Sequence, residues 1–343
     1  MLKKVLWSLL AIVVLAAAGL AVFVLTYRPA QRPASAERIE LTPERVARGE
    51  YLVSNVLGCG DCHSDREWSL YGGPVRSAVL AGAGCMGPEQ GAPGRICFPN
   101  LTPDPETGLG AWSDGEVLRA IREGVGRDGR ALFPMMPYSE YRKLSDEDAS
   151  AVVAYLRSVP PVENPVPRTE IDFPVSFFIE MAPRPLDGPV AAPARAESAA
   201  YGEYLAQVAG CAFCHTPVHE RMQALPGRAF AGGHVHQGPW GTVAAPNLTP
   251  HPTGLGGRSK ENFLGMFRAF AGAESRAIPA SAGQNTPMPW LSHSGMSDED
   301  LGAIWEYLQT VPPVENPVGR RPPPDADRQP VAESGGEADA VGG

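Results

Sequence analysis

This chain lacks a positive excess. Its 29 Lys and Arg face 38 Asp and Glu, for a formal net charge of -9. That balance disfavours a polyanion such as nucleic acid and permits docking to a basic patch on a protein partner. Histidine is scarce, seven residues in 343, and the first half of the chain holds none but His63. No run alternates apolar and polar residues well enough for a strand. The chain is therefore expected to be mainly helical, with long loops. Val5 to Thr26 carries no charge at all.

The six cysteines are informative in their placement. Four fall in two pentads, Cys59-Gly60-Asp61-Cys62-His63 and Cys211-Ala212-Phe213-Cys214-His215. A Cys-x-x-Cys pair alone suits a zinc knuckle or a redox dithiol. A zinc site needs a second ligand pair, and neither half has another Cys-x-x-Cys. A thioredoxin-like dithiol needs a strand–helix context that is missing. Cys-x-x-Cys-His is the attachment pattern for a covalent c-type haem. Cys59, Cys62, Cys211 and Cys214 form thioethers to two haems in that reading, and His63 and His215 each supply one axial iron ligand.

The pentads belong to an internal repeat. Cys59 recurs as Cys211, Met136 as Met288, Ser145 as Ser297 and Val159 as Val311, all at an offset of 152. Ser145-Asp146-Glu147-Asp148 and Val159-Pro160-Pro161-Val162-Glu163-Asn164-Pro165-Val166 return whole. Pro99-Asn100-Leu101-Thr102-Pro103 returns as Pro246 to Pro250 at an offset of 147. Each His nevertheless lies 73 residues before its Met, as expected if both ends of that span hold one iron.

Thioether sulfur is a soft ligand suited to haem iron. Met86, Met135 and Met136 compete for the role in the first lobe; Met288, Met296, His234, His236 and His293 compete in the second. The repeat selects Met136 and Met288, which share their offset and a following Pro and aromatic. Met135 aligns with Pro287, and Met296 aligns with Leu144, a core position. His219, His234, His236, His251 and His293 stay unassigned.

Helices are expected from Pro43 to Leu57, from Trp112 to about Glu123, and over Ala149–Ser158, Gly202–Val208 and Asp298–Thr310. Ser145 and Ser297 open two of them with acids on the positive helix end. Cys85 and Cys97 remain, and Ala244 stands where the second lobe would need its Cys97. In an exported protein a leftover pair forms a disulfide. The uncharged run from Val5 is long enough as a helix, about 33 Å, to cross a bilayer. Lys3 and Lys4 before it favour a cytoplasmic N-terminus and haem domains on the outer, periplasmic face. A cleaved signal peptide is the alternative. The expected organisation is an anchor over 1–27, a stalk over 28–40, lobes over 41–166 and 198–318, a Pro-rich linker over 167–197 and a disordered tail over 319–343. An apolar patch in the linker, Ile171 to Ile179, is expected as a packed strap between the lobes, with partner docking as its alternative.

The pentads, the Pro-Asn-Leu-Thr-Pro strings, Gly110-Ala111-Trp112-Ser113-Asp114, Ala120-Ile121-Arg122, Met136-Pro137-Tyr138 and Phe173-Pro174 together resemble the multihaem cytochrome c subunits of membrane-bound alcohol, aldehyde and gluconate dehydrogenases. The resemblance covers roughly residues 41–318. It implies an all-α fold of two tandem class I cytochrome c domains with haem-wrapping loops, plus the N-terminal helix. It implies single-electron transfer between a dehydrogenase or quinol-linked donor and an oxidase or small cytochrome, without catalysis by this chain. A dihaem peroxidase or thiosulfate-oxidising enzyme is the alternative from another class, and a mainly anchoring subunit of a dehydrogenase a third.

Overall fold

The computed structural model describes residues 2–76, 79–219, 223–281 and 284–319; the tail from Arg320, expected to be disordered, lies outside them. The chain forms two compact units. The first comprises residues 1–65 and 75–192, the second 66–74 and 193–343.

The first unit starts with α1 (Leu2–Thr26), an apolar helix with no buried residue and the length of a membrane span or signal sequence. Residues 28–40, expected as a stalk, make bonds of their own. Arg32 pairs with buried Glu123 at 2.6 Å, and the Ile39 amide donates to Asp114 at 2.9 Å. α2 (Pro43–Tyr51) begins as expected, with the Thr42 hydroxyl accepting from the Arg45 amide and Pro43 in its first turn. It does not run on to Leu57 as a regular helix. The turn widens to a π-helix over Leu52–Val56, a form frequent at functional sites, and the chain then enters α3 (Cys59–Cys62).

After α3 come two short strands, β1 (Cys85–Met86) and β2 (Gly94–Cys97). Ser113 and Glu116 form a capping box that opens α4 (Asp114–Glu123). α5 (Tyr138–Tyr141) follows, and α6 (Asp146–Ser158) is capped by the Ser145 hydroxyl. The linker belongs to this unit as far as Ala192. Its β3 (Glu170–Ile171) extends the β1–β2 ladder, and α7 (Val175–Glu180) follows. Ile179 is packed, whereas Phe173 and Phe178 stay exposed, so the patch is only half a packed strap.

The second unit repeats the frame with α8 (Ser198–Val208), α9 (Cys211–His215), β4 (Val235–Gly238), β5 (Gly241–Ala244), α10 (Lys260–Arg268), α11 (Trp290–His293) and α12 (Asp298–Leu308). Residues 66–74, just past the first pentad, are built into it. Buried Asn285 accepts from the Gly72 amide at 2.9 Å and donates to the Trp68 carbonyl at 3.0 Å.

One close helix crossing organises each unit, α2 with α6 and α8 with α12. A Cβ on Gly49 would stand 1.9 Å from the Ala151 carbonyl oxygen, and one on Gly202 would stand 1.9 Å from that of Ala303. Only glycine lets the backbones approach so closely. The Ser-Asp-Glu-Asp strings serve the same crossing. Asp148 is buried and takes both prongs of the Arg48 guanidinium at 2.8 and 2.9 Å. Asp300 is equally buried but pairs with Arg195, upstream of α8, at 3.0 Å. Such a carboxylate left alone would cost several kcal/mol.

The units differ at the loop between pentad and Asn. Cys85 pairs with Cys97 across β1–β2 and the two form a disulfide. Val235 and Ala244 hold the matching rungs of β4–β5, which closes as a longer hairpin without a covalent tie. These strands, none over four residues among the described elements, are too short to leave an alternating pattern.

Two outcomes follow. Gly49→Ala and Gly202→Ala must each push a helix pair apart and should cost about 2 kcal/mol or more. Gly265→Ala, with nothing within 4 Å of its Cβ in α10, should instead gain up to about 1 kcal/mol; thermal unfolding of the three variants checks the contrast. Reduction of the disulfide should destabilise the first unit by about 3 kcal/mol in the loop-entropy model, and thiol labelling of unfolded, unreduced holoprotein should find no free cysteine.

Candidate haem-attachment sites

Each pentad is launched by a left-handed glycine, Gly58 at φ 59° and Gly210 at φ 72°. A side chain there would be strained. The glycine turns the chain out of the π-helix in the first unit, or α8 in the second, and into the short pentad helix. Both cysteines of a pentad lie on one helical turn, with the histidine at its C-terminal end. Cys59, Cys211 and Cys214 are partly covered and Cys62 is exposed, and none forms a disulfide.

Burial pushes the Cys59 and Cys211 thiols up to about 12, with the neighbouring Cys62 and Cys214 adding to the rise. A redox dithiol reacts as its thiolate, the form that a raised thiol disfavours at Cys59 and Cys211. Among the described residues no group of three His, Cys, Asp or Glu is placed to hold a metal ion. Both alternative readings of the pentads lose support.

The decisive contact sits on the histidines. His63 Nδ1 lies 2.8 Å from the Pro99 carbonyl oxygen, and His215 Nδ1 lies 2.8 Å from that of Pro246. A carbonyl only accepts, so Nδ1 must carry the proton and donate. Nε2 is then left with its lone pair, the tautomer an axial ligand needs. Burial lowers the pKa of both imidazoles, against a smaller opposing pull from the proline carbonyl. The neutral form of each ring is thereby favoured. The donor set fits a covalently held haem: two thiols and one oriented imidazole on a single turn.

The acceptor is fixed in turn by the repeated strings. Asn100 accepts from the Thr102 amide at 2.9 Å and donates to the Val162 carbonyl at 2.7 Å. Asn247 repeats this with Thr249 at 2.9 Å and Val314 at 2.8 Å. Asn164 and Asn316, in the second string, donate to Ala81 and Ala231 at 2.8 and 2.9 Å. The Pro-Asn-Leu-Thr-Pro and Val-Pro-Pro-Val-Glu-Asn-Pro-Val strings thus knot together behind each histidine.

A second brace closes the frame. The Leu80 amide donates to Ser64 Oγ at 2.8 Å, and the Leu80 carbonyl accepts from the Leu101 amide at 2.8 Å. Phe230 does the same with Thr216 Oγ1 at 3.1 Å and the Leu248 amide at 2.8 Å. Leu80 and Phe230 are the two non-glycine residues with positive φ among those described, 65° and 60°. The same strain is stored at matched buried positions beside both pentad histidines.

Met136 and Met288 sit in one backbone form. Pro137 (φ -81°, ψ 51°) and Pro289 (φ -78°, ψ 56°) make inverse γ-turns. The amides of Tyr138 and Trp290 donate to the Met136 and Met288 carbonyls at 2.8 Å. Both methionines are half-buried. Met135 is exposed, and Met296 lies in the core at 2% exposure. In the second unit the rings of His234, just before β4, and His236, on it, lie 4.3 Å apart at a tilt of 43°, and burial, with His234 beside it, lowers His236 to about 4. His293 is buried on α11. Sequence reasoning missed the carbonyls of Pro99 and Pro246 as the partners of the histidines. The repeated Pro-Asn-Leu-Thr-Pro string was the available signal, but a backbone acceptor has no side-chain signature.

Residues 46–160 match the cytochrome c family. The cytochrome c subunit of the quinone alcohol dehydrogenase of Gluconacetobacter polyoxogenes is 30% identical over 285 residues, which is 78% of this chain and 56% of that protein. The fructose dehydrogenase cytochrome subunit of Gluconobacter japonicus is 30% identical, covering 82% of this chain and 54% of its own length. A diheme cytochrome c-type protein of Cereibacter sphaeroides is 28% identical over 79% of this chain and 87% of its own. The chain spans little more than half the length of the two dehydrogenase subunits. With that domain match and these relatives, the chain belongs to the cytochrome c family.

Proposed function

We propose that this protein is a membrane-anchored dihaem cytochrome c that passes single electrons from a periplasmic or quinol-linked dehydrogenase to a terminal oxidase or soluble carrier. The observation that carries the proposal is the duplicated histidine frame. Two neutral imidazoles, each with Nδ1 committed to a proline carbonyl at 2.8 Å, present two Nε2 lone pairs on two separate pentads. The lobes over 41–166 and 198–318 each hold one haem in this reading. A bound haem supplies a one-electron iron couple at each pentad. The chain's own residues orient the ligand and favour its neutral form. Met136 and Met288, on matched turns, would supply the second protein ligand to each iron, which would leave no position for a substrate.

A dehydrogenase as donor is supported by the relatives, which are named as cytochrome subunits of alcohol and fructose dehydrogenases. The anchor follows from α1. Trp7 and Tyr27 stand about 30 Å apart along a helix, matching the hydrocarbon thickness, with aromatic side chains at both interfaces. Lys3 and Lys4 favour a cytoplasmic N-terminus, with the haem domains then on the periplasmic side.

Met136→Ala and Met288→Ala should each remove about half of the weak near-infrared sulfur-to-iron band of the oxidised protein, while Met135→Ala and Met296→Ala leave it intact. Loss of the band in Met135→Ala instead would reassign the ligand. The reduced protein should bind no carbon monoxide. It should also turn over no peroxide; turnover at rates typical of enzymes, about 10 per second, would make it an enzyme rather than a carrier.

A further inference from the structure

The linker helix α7 has an apolar face that the fold does not cover. Ile179 points inward at 8% exposure, while Phe178 is 62% exposed and the flanking Phe173 and Met181 are 71% and 54% exposed. Glu180 is turned away from that face, its carboxylate accepting from the Ala131 amide at 3.4 Å. Asp172 and Arg184 are exposed at the two ends of the segment.

The neighbour of this face is the end of α1. Phe177 packs edge-on against Phe23 at 6.2 Å and against Tyr27 at 5.7 Å, and Phe23 meets Tyr27 at 5.5 Å. Phe177 also meets Phe178 at 5.9 Å. Four aromatic rings thus run without a break from the last turn of the apolar helix to the exposed face of α7. Tyr27 and the exposed Arg28 mark where an apolar span gives way to headgroups. A helix in contact with that point is held at the same depth.

We propose that Phe173 to Met181 lies in the headgroup–acyl boundary of the bilayer that α1 crosses, as a second, peripheral membrane contact of the first unit. The proposal rests on α1 being retained as an anchor. Aromatic and apolar side chains on one helix face, with cationic residues beside them, are the composition that partitions into this layer. The contact would hold the first unit against the membrane in place of a free tether.

The test uses the full-length holoprotein, reduced to the diamagnetic state, in vesicles of phosphatidylethanolamine and phosphatidylglycerol. Nitroxide labels are placed at Phe178→Cys and Met181→Cys, with Glu147→Cys, at an exposed position of α6, as the aqueous control. The ratio of oxygen to nickel-chelate accessibility should be at least about threefold higher at 178 and 181 than at 147. Equal ratios at all three positions, with the protein resisting alkaline carbonate, would leave the anchor in place and overturn the peripheral contact. Protection of 178 and 181 from both reagents would mean that protein covers the face, and overturns it as well. Release of the protein by carbonate would remove the anchor itself and the proposal with it.

Discussion

The hydrogen bond from each pentad histidine to a proline carbonyl is the constraint around which both units are arranged. Haem iron needs an imidazole nitrogen that is unprotonated, correctly aimed and held there while charge on the metal changes. Burial alone keeps the ring neutral but leaves its tautomer and rotation free. The carbonyls of Pro99 and Pro246, each 2.8 Å from Nδ1, remove both freedoms. Proline suits this acceptor role because its fixed φ stiffens the chain and it adds no competing N–H. The acceptor must itself be immobile, and Asn100 and Asn247 achieve this by tying their own strings to the later Val-Pro-Pro-Val-Glu-Asn-Pro-Val segments.

The other shared features serve that arrangement. The glycine crossings bring α6 and α12 onto the helices that deliver the pentads, so the end of each lobe is locked to its beginning. The buried aspartates at the start of α6 and α12 are each neutralised by an arginine, but from different places in the two units. What is kept is the buried carboxylate and its partner charge; the position of the partner has drifted. The loop between pentad and Asn follows the same logic. A disulfide closes it in the first unit and a hairpin in the second, at the same rungs.

The sequence was most legible where chemistry depends on side chains at fixed spacing. The pentads, the repeated strings, the cap serines and the leftover cysteine pair could all be read directly, and the structure places Cys85 and Cys97 in a disulfide. Less could be read where backbone does the work. Nothing in Leu80 or Phe230 announces a positive φ, since neither residue favours it. The π-turn at Leu52–Val56 looks like ordinary amphipathic helix in sequence. Residues 66–74 follow the first pentad closely, yet they belong to the second unit because Asn285 binds their backbone. Local sequence cannot foretell so distant a partner.

The account stands on both pentads being occupied in the same way, one haem in each frame. Mass spectrometry of the denatured full-length protein, followed by peptide mapping, tests this most directly. Two haem masses retained covalently, one on the peptide with Cys59 and Cys62 and one on the peptide with Cys211 and Cys214, is the predicted result. A single haem, or two free thiols at either pentad in protein matured with the haem-attachment machinery present, would contradict it.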